Sequence, residues 1–217
     1  IFIYEYISSK LKNMSKKYIS STHEMPRFTK YGFLKVKCPQ DIWPTIMDAY
    51  NVVKRFKPEP DGMGNVEDNK VEIFQLNNIW NIAQYIHKSF HPLHEWWRGQ
   101  ELEPSSLWGI RSYKNNVKLK MHLDRPHTHH ISSIVMVDKD LNGKEDWPLI
   151  IKDFDGNYQH IYTEPGDVIL YESVACQHGR PIPFQGNYYR NFYMHFKLKN
   201  YEYIGMDYEN EHLNYTD

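Results

Sequence analysis

The sequence has little cysteine, no long apolar run, no charge excess of either sign, and no repeated or low-complexity tract. Each absence excludes something. Two cysteines in 217 residues, Cys38 and Cys176, cannot build a disulfide scaffold. No stretch approaches the roughly 18 apolar residues of a spanning helix, so a helical membrane span is not expected. Lysine plus arginine number 26 and aspartate plus glutamate 27, for a net charge of −1. That balance argues against a nucleic-acid binder working through a broad basic field. Hydrophobic residues make up 41% and charged residues 24%, which excludes wholesale disorder. At roughly 100–200 residues per domain, residues 1–217 read as one domain able to bury a sizeable core.

What is abundant is histidine, with 12, and aromatic residues, with 6 Trp, 17 Tyr and 10 Phe. Composition does not say which histidines carry chemistry. Because it starts at Ile1, the chain reads as a fragment or processed product. The apolar stretch Ile1–Tyr6 precedes Lys10, Lys12, Lys16 and Lys17, the wrong order for a secretory signal. A cytoplasmic location is favoured, with a signal upstream of Ile1 left open.

Residues 41–56, DIWPTIMDAYNVVKRF, predict a helix. Asp41 is placed to cap it, Pro44 suits the first turn, and Ile46, Ala49, Val52 and Val53 recur at helical spacing. A Pro-, Gly- and acid-rich loop follows over residues 57–70. A second helix is predicted from Asn78 to about His91, with Pro92 ending or kinking it. From Leu107 onward, short β-branched and aromatic runs alternate with turns such as Asn142-Gly143, Asp155-Gly156 and Pro165-Gly166. That texture predicts a sandwich or barrel. The expected fold is α+β, mainly β. A double-stranded β-helix, or jelly roll, spans about 107–200, and a helical N-terminal part of about 1–100 packs on one sheet.

His122-Leu123-Asp124 places an imidazole and a carboxylate two residues apart, on one side of a strand. By chance about 0.7 such pairs are expected in a chain with this His and Asp content, so the pair alone is a weak signal. His178 lies 54 residues beyond Asp124, after the strand Asp167–Glu172 that Glu164-Pro165-Gly166 introduces. Two His and one carboxylate on one face of an ion form the facial triad of non-haem Fe(II) oxygenases.

At these residues the chain resembles the 2-oxoglutarate- and Fe(II)-dependent dioxygenases, and among them the prolyl 4-hydroxylase-like branch. The resemblance covers roughly Leu107–Lys197. It rests on the ordered set RSYKNNVKLKMHLDRPHTHHISSIVMV, WPLIIKDFDG, EPGDVILYES and HGRPIPFQGNYYRNFYMHF. It implies iron held between two sheets by His122, Asp124 and His178, with Tyr113 reaching 2-oxoglutarate. The family's usual basic residue for the distal carboxylate falls at Tyr188, which carries no positive charge. Arg180 and Arg190 are the two candidates in its place, and the choice between them stays open. Phe192, Met194 and Phe196 resemble a helix-facing side of a strand, which would turn Arg190 away from the site.

The implied reaction consumes 2-oxoglutarate and O2, releases succinate and CO2, and hydroxylates a prolyl residue in a peptide or protein. Ascorbate is an optional reductant. The alternatives are the same chemistry on a free amino acid or small metabolite, and a non-catalytic jelly-roll binding module. Trp108, Trp147, Tyr158, Tyr162 and Tyr171 are candidates for the pocket wall or the core.

The remaining histidines take plainer readings. His87, His91 and His94 read as a solvated or partly packed helix face. His127, His129 and His130 read as hydrogen-bonding neighbours of the triad. Asp138–Gly143 imitates a calcium loop but has Leu149 where a bidentate Glu is needed, so it reads as a polar hairpin turn. Cys176 reads as a buried or incidental thiol.

Overall fold

The computed structural model describes residues 17–21, 24–62, 66–67 and 71–205. The Ile1–Tyr6 stretch and Lys10, Lys12 and Lys16 lie outside the described residues. Along the chain run β1 (Lys17–Ile19), β2 (Phe33–Lys37), α1 (Trp43–Val53), β3 (Glu59–Pro60), β4 (Val66–Glu67) and β5 (Val71–Phe74). A single 3-10 turn (Asn77–Ile79) leads into α2 (Trp80–Arg98), followed by β6 (Leu102–Leu107), β7 (Ile110–Tyr113) and β8 (Lys118–His122). The rest is β9 (Ile131–Asp140), β10 (Leu149–Lys152), β11 (Tyr158–Ile161), β12 (Asp167–Tyr171), β13 (His178–Arg180), β14 (Tyr188–Leu198) and β15 (Tyr201–Tyr203).

Two antiparallel sheets form the jelly roll. The larger runs β2-β12-β9-β14-β7-β5-β3, with β6 on the far half of β14, and the smaller runs β11-β10-β13-β8-β4. β1 and β15 pair in parallel beside them. The segment before residue 100 is therefore not only helical. β2 extends the larger sheet beyond β12, and β5 and β3 extend it beyond β7.

The two faces of β14 explain the layers. Phe192, Met194, Phe196 and Leu198 join Ile131, Val135, Val137, Val168 and Leu170 in one core with the helices. α1 adds Ile46, Ala49, Tyr50 and Val53, and α2 adds Ala83, Ile86 and Phe90. Tyr189 and Tyr193, on the alternate positions, face the space between the sheets among Tyr113, Trp147, Ile134 and Tyr171.

Both predicted helices exist, with different ends. Ile42, not Asp41, stands at the start of α1 and no side chain caps it; the Trp43 N–H donates to the Pro39 carbonyl at 3.0 Å. α2 runs through Pro92 to Arg98. Proline removes one helical hydrogen bond, but Ala83, Ile86, Phe90, His94 and Arg98 form a continuous buried face on the sheet, and that packing holds the helix together. It stops at Gly99, whose left-handed φ of 66° turns its N–H onto the Glu95 carbonyl. The Asp138–Gly143 turn carries β9 of one sheet to β10 of the other, so it is a crossover and not a hairpin.

Of the two readings for His87, His91 and His94, the packed one holds: His87 and His91 are half-buried and His94 is buried. Their rings lie 4.7, 5.6 and 4.1 Å from that of Phe196. Their nitrogens meet the carbonyls of His195, Leu102 and Phe90. Burial lowers His94 to about 3 and His87, His122 and His130 to about 4, from an ordinary 6.5.

The unfolded chain therefore binds more protons than the folded one between those values, and stability is lost as the pH falls through that window. Thermal unfolding followed from pH 7 to pH 4 should show a falling midpoint. His94→Gln should flatten the fall, and a midpoint constant across this range would contradict the assignment.

Candidate metal centre

The centre is assembled by one strand pair. β8 ends at His122 and β13 begins at His178, and the register sets these two residues directly opposite each other. Their ring centroids lie 4.4 Å apart. A one-residue slip would turn one ring to the opposite face of the sheet. Gly179 permits the close approach, because a Cβ there would meet the Lys120 carbonyl oxygen at 2.6 Å. Asp124 lies just past β8, where its N–H donates to the Ser173 carbonyl at 2.9 Å.

The donor atoms are oriented by the backbone. His122 Nδ1 donates to the Lys120 carbonyl at 2.7 Å, and His178 Nδ1 to the Cys176 carbonyl at 2.9 Å. A carbonyl only accepts, so both rings carry a proton on Nδ1 and turn Nε2 toward Asp124. Each Nε2 lies 3.7 Å from Asp124 Oδ1. The three donor atoms all fall within 4.8 Å of one another. Two imidazoles and one carboxylate suit an Fe(II)-type ion with open positions, so the donor set fits the metal that the resemblance implies.

The other carboxylate oxygen is held from behind. Ser132 Oγ donates to Asp124 Oδ2 at 3.1 Å, accepts from His195 Nδ1 at 2.6 Å, and lies 2.7 Å from Ser173 Oγ. The His129 ring lies 3.8 Å from that of His195, tilted by 51°. Burial opposes the charge on Asp124, but His178, His195, His122 and His129 together hold its carboxyl below the usual range. Burial keeps His195 well below its ordinary value.

A cavity of about 570 Å³ opens over the three donors. Tyr171, Tyr193, Ile134 and Leu149 form its inner wall, and Trp108, Gly62 and Arg125 stand at its exposed rim.

The other sequence candidates separate. Tyr113 is fully buried, and its hydroxyl is 2.5 Å from that of Tyr193, the residue that faces the cavity. Arg180 is 1% exposed, with its guanidinium 4.7 Å from the Trp147 ring and 4.6 Å from the Tyr189 ring. Its Nη1 donates to the Trp147 carbonyl, while Nε and Nη2 have no hydrogen-bond partner among the described residues. A fully buried cation with two orphaned donors fits a carboxylate ligand.

Arg190 lies on the helix-facing side of β14. Its Nη1 donates to Tyr50 Oη at 2.5 Å and its Nε to Ser112 Oγ at 3.2 Å, with Asp138 3.7 Å away. The structure thus turns Arg190 away from the donors. Trp108 and Tyr171 line the cavity, Trp147 is core, and Tyr162 is exposed.

Sequence reasoning missed Arg111, Arg125, Tyr193 and His195, all of which line the cavity. The signal was strand parity. Arg111 is two residues before Tyr113, and Tyr193 and His195 alternate with the helix-facing Phe192, Met194 and Phe196.

No protein-family model and no curated protein matches the chain. Solved structures do. A 2OG-Fe(II) oxygenase-family oxidoreductase from Burkholderia pseudomallei superposes with a TM-score of 0.60 at 13% identity, over 78% of this chain and 86% of that one. HygX from Streptomyces hygroscopicus, solved with nickel and 2-oxoglutarate bound, gives 0.59 at 11% identity, over 83% and 94%. A prolyl hydroxylase from Trichoplax adhaerens, in complex with a hypoxia inducible factor peptide fragment, gives 0.55 at 10% identity, over 90% and 93%. The chain has the jelly-roll fold of these oxygenases.

Removing the serine behind the carboxylate tests the centre directly. Ser132→Ala should keep the fold and weaken divalent-metal binding roughly 10- to 100-fold, the usual cost of losing a partner behind a metal ligand. Competition titration with Co(II) measures it, and unchanged affinity would show that Ser132 does not orient Asp124.

Proposed function

We propose that the chain is an Fe(II)- and 2-oxoglutarate-dependent dioxygenase that hydroxylates a prolyl residue in a peptide or protein. The observation that carries this reading is the convergence of His122 Nε2, Asp124 Oδ1 and His178 Nε2 on one cavity, with both imidazoles fixed in the ligating tautomer. The prolyl assignment draws support from the sequence resemblance and from the Trichoplax adhaerens prolyl hydroxylase among the similar folds. The iron ligands in this reading are His122, Asp124 and His178. Arg180 holds the distal carboxylate of 2-oxoglutarate, and Tyr113 supports that end through Tyr193.

Bound iron and 2-oxoglutarate supply dioxygen activation coupled to decarboxylation, giving succinate, CO2 and a hydroxylated carbon. The chain's own part is orientation and exclusion of water. The Lys120 and Cys176 carbonyls keep protons off both ligating nitrogens. Ser132 and His195 hold Asp124 at its non-ligating oxygen. Tyr171, Tyr193, Ile134 and Leu149 wall off bulk water on the inner side. Arg180 meets an incoming carboxylate in a site where hydrogen bonds to charge are strong and water does not compete.

Incubation of proline-rich peptides with Fe(II), ascorbate and 2-oxoglutarate should yield succinate and a one-oxygen mass gain on proline. His122→Ala should abolish both. Arg180→Met should raise the 2-oxoglutarate KM roughly 10- to 100-fold, matching the loss of one or two charge-assisted hydrogen bonds, and Arg180→Lys should recover part of it. Activity that survives iron chelation would overturn the reading, and succinate release with no peptide product would move the substrate to a small molecule.

A further inference from the structure

The cavity over the three donors contains a cationic feature to which the proposed function gives no role. Arg111, on β7, has a side chain only 10% exposed, yet it lines the cavity beside the three donors. Its Nε donates to Asp61 Oδ2 at 2.5 Å, and its guanidinium lies 4.7 Å from the centre of the Tyr193 ring. Its two terminal nitrogens have no hydrogen-bond partner among the described residues. A guanidinium left with a free two-nitrogen edge in a nearly buried position is poised for a bidentate oxyanion.

Arg111 is itself positioned. Asp61 stands at the end of β3, where its N–H donates to the Val71 carbonyl at 2.9 Å. It fixes Nε and so decides which edge of the guanidinium is left over. Arg125 adds a second cation at the rim. It directly follows Asp124, is exposed, lines the same cavity, and makes no side-chain hydrogen bond or ion pair among the described residues. Asp61 offsets one of the two charges, and Asp124 belongs to the metal. One positive charge therefore faces the open cavity uncompensated, in a chain whose net charge is only −1.

We propose that the substrate carries a carboxylate, held by Arg111 and Arg125 at the cavity mouth while its reacting carbon lies over the metal. This rests on the dioxygenase reading above and adds the chemical class of the substrate. Arg180 lies deeper, fully buried between the sheets, whereas Arg111 joins the rim through Asp61, so the two arginines serve different anions. The carboxylate has two sources: the α-carboxylate of a free amino acid, or an acidic side chain beside the reacting residue of a peptide.

Titration calorimetry on protein loaded with Zn(II) and 2-oxoglutarate, which does not turn over, separates the cases. The probes are two pairs: L-proline against L-prolinamide, and a proline peptide with adjacent Glu against the same peptide with Gln. At least one anionic probe should bind about tenfold or more tightly than its neutral twin, as expected for a charge-assisted pair, and the pair that shows it names the source. Arg111→Gln should erase the preference and Arg111→Lys restore part of it, with 2-oxoglutarate affinity unchanged within about twofold. Arg125→Gln, at an exposed position, should lower the preference without risk to folding.

Equal binding of the twins, no binding of either anionic probe, or a loss of 2-oxoglutarate affinity in Arg111→Gln would overturn the proposal. Succinate release by the iron-loaded protein reports separately on the dioxygenase reading. Iron-dependent succinate without a carboxylate preference sinks this proposal alone.

Discussion

Everything at the candidate centre depends on one strand pairing, β8 against β13, with His122 opposite His178. Side chains alternate along strands, so this register puts both imidazoles on the inner face of the smaller sheet, 4.4 Å apart by ring centroid. The carboxylate of Asp124 arrives on the same face because it follows His122 by two residues. The pairing is intolerant of bulk between the strands. Gly179 sits against the Lys120 carbonyl, and no side chain fits there.

The centre is buried polar chemistry inside an apolar sandwich, and its cost is met by partners. His122 and His178 give their Nδ1 protons to backbone carbonyls. Asp124 is surrounded by His122, His178, His195 and the Ser132 hydroxyl. Buried charge without such a shell would neutralise itself or unfold the site. Two cations are exceptions: Arg180 and Arg111 keep donors that no described residue satisfies, and of the two Arg111 lines the cavity.

Most of the fold was legible in the sequence, since short β-branched runs and two amphipathic stretches announce themselves by period. Two features were not. Pro92 predicts an end or a kink in α2, and packing along Ala83, Ile86, Phe90, His94 and Arg98 carries the helix past it. Strands β2, β3 and β5 are short and half-hidden among loop residues, and they become strands only because β12 and β7 offer edges to β2 and β5, and β5 in turn to β3. In the site, the donor triad was readable from residue type, spacing and resemblance. The shell was harder to read. Ser132, His195 and Arg111 come from three different strands, and no spacing connects them to Asp124.

The arginine alternative marks the boundary between the two sources of information. The family resemblance implied a cation after His178 and left Arg180 and Arg190 both open. The tertiary structure separates them by face. On β14, Arg190 shares its side with Phe192, Met194 and Phe196 against α1, where Tyr50 and Asp138 occupy it. Arg180 turns between the sheets against Trp147 and Tyr189 with donors to spare. The sequence by itself determined which donor types exist and the order in which they come, because ligand chemistry resides in single residues. Which of them meet, and which face of a strand looks inward, was decided by the packing of two sheets and two helices, because burial is a property of the assembled layers.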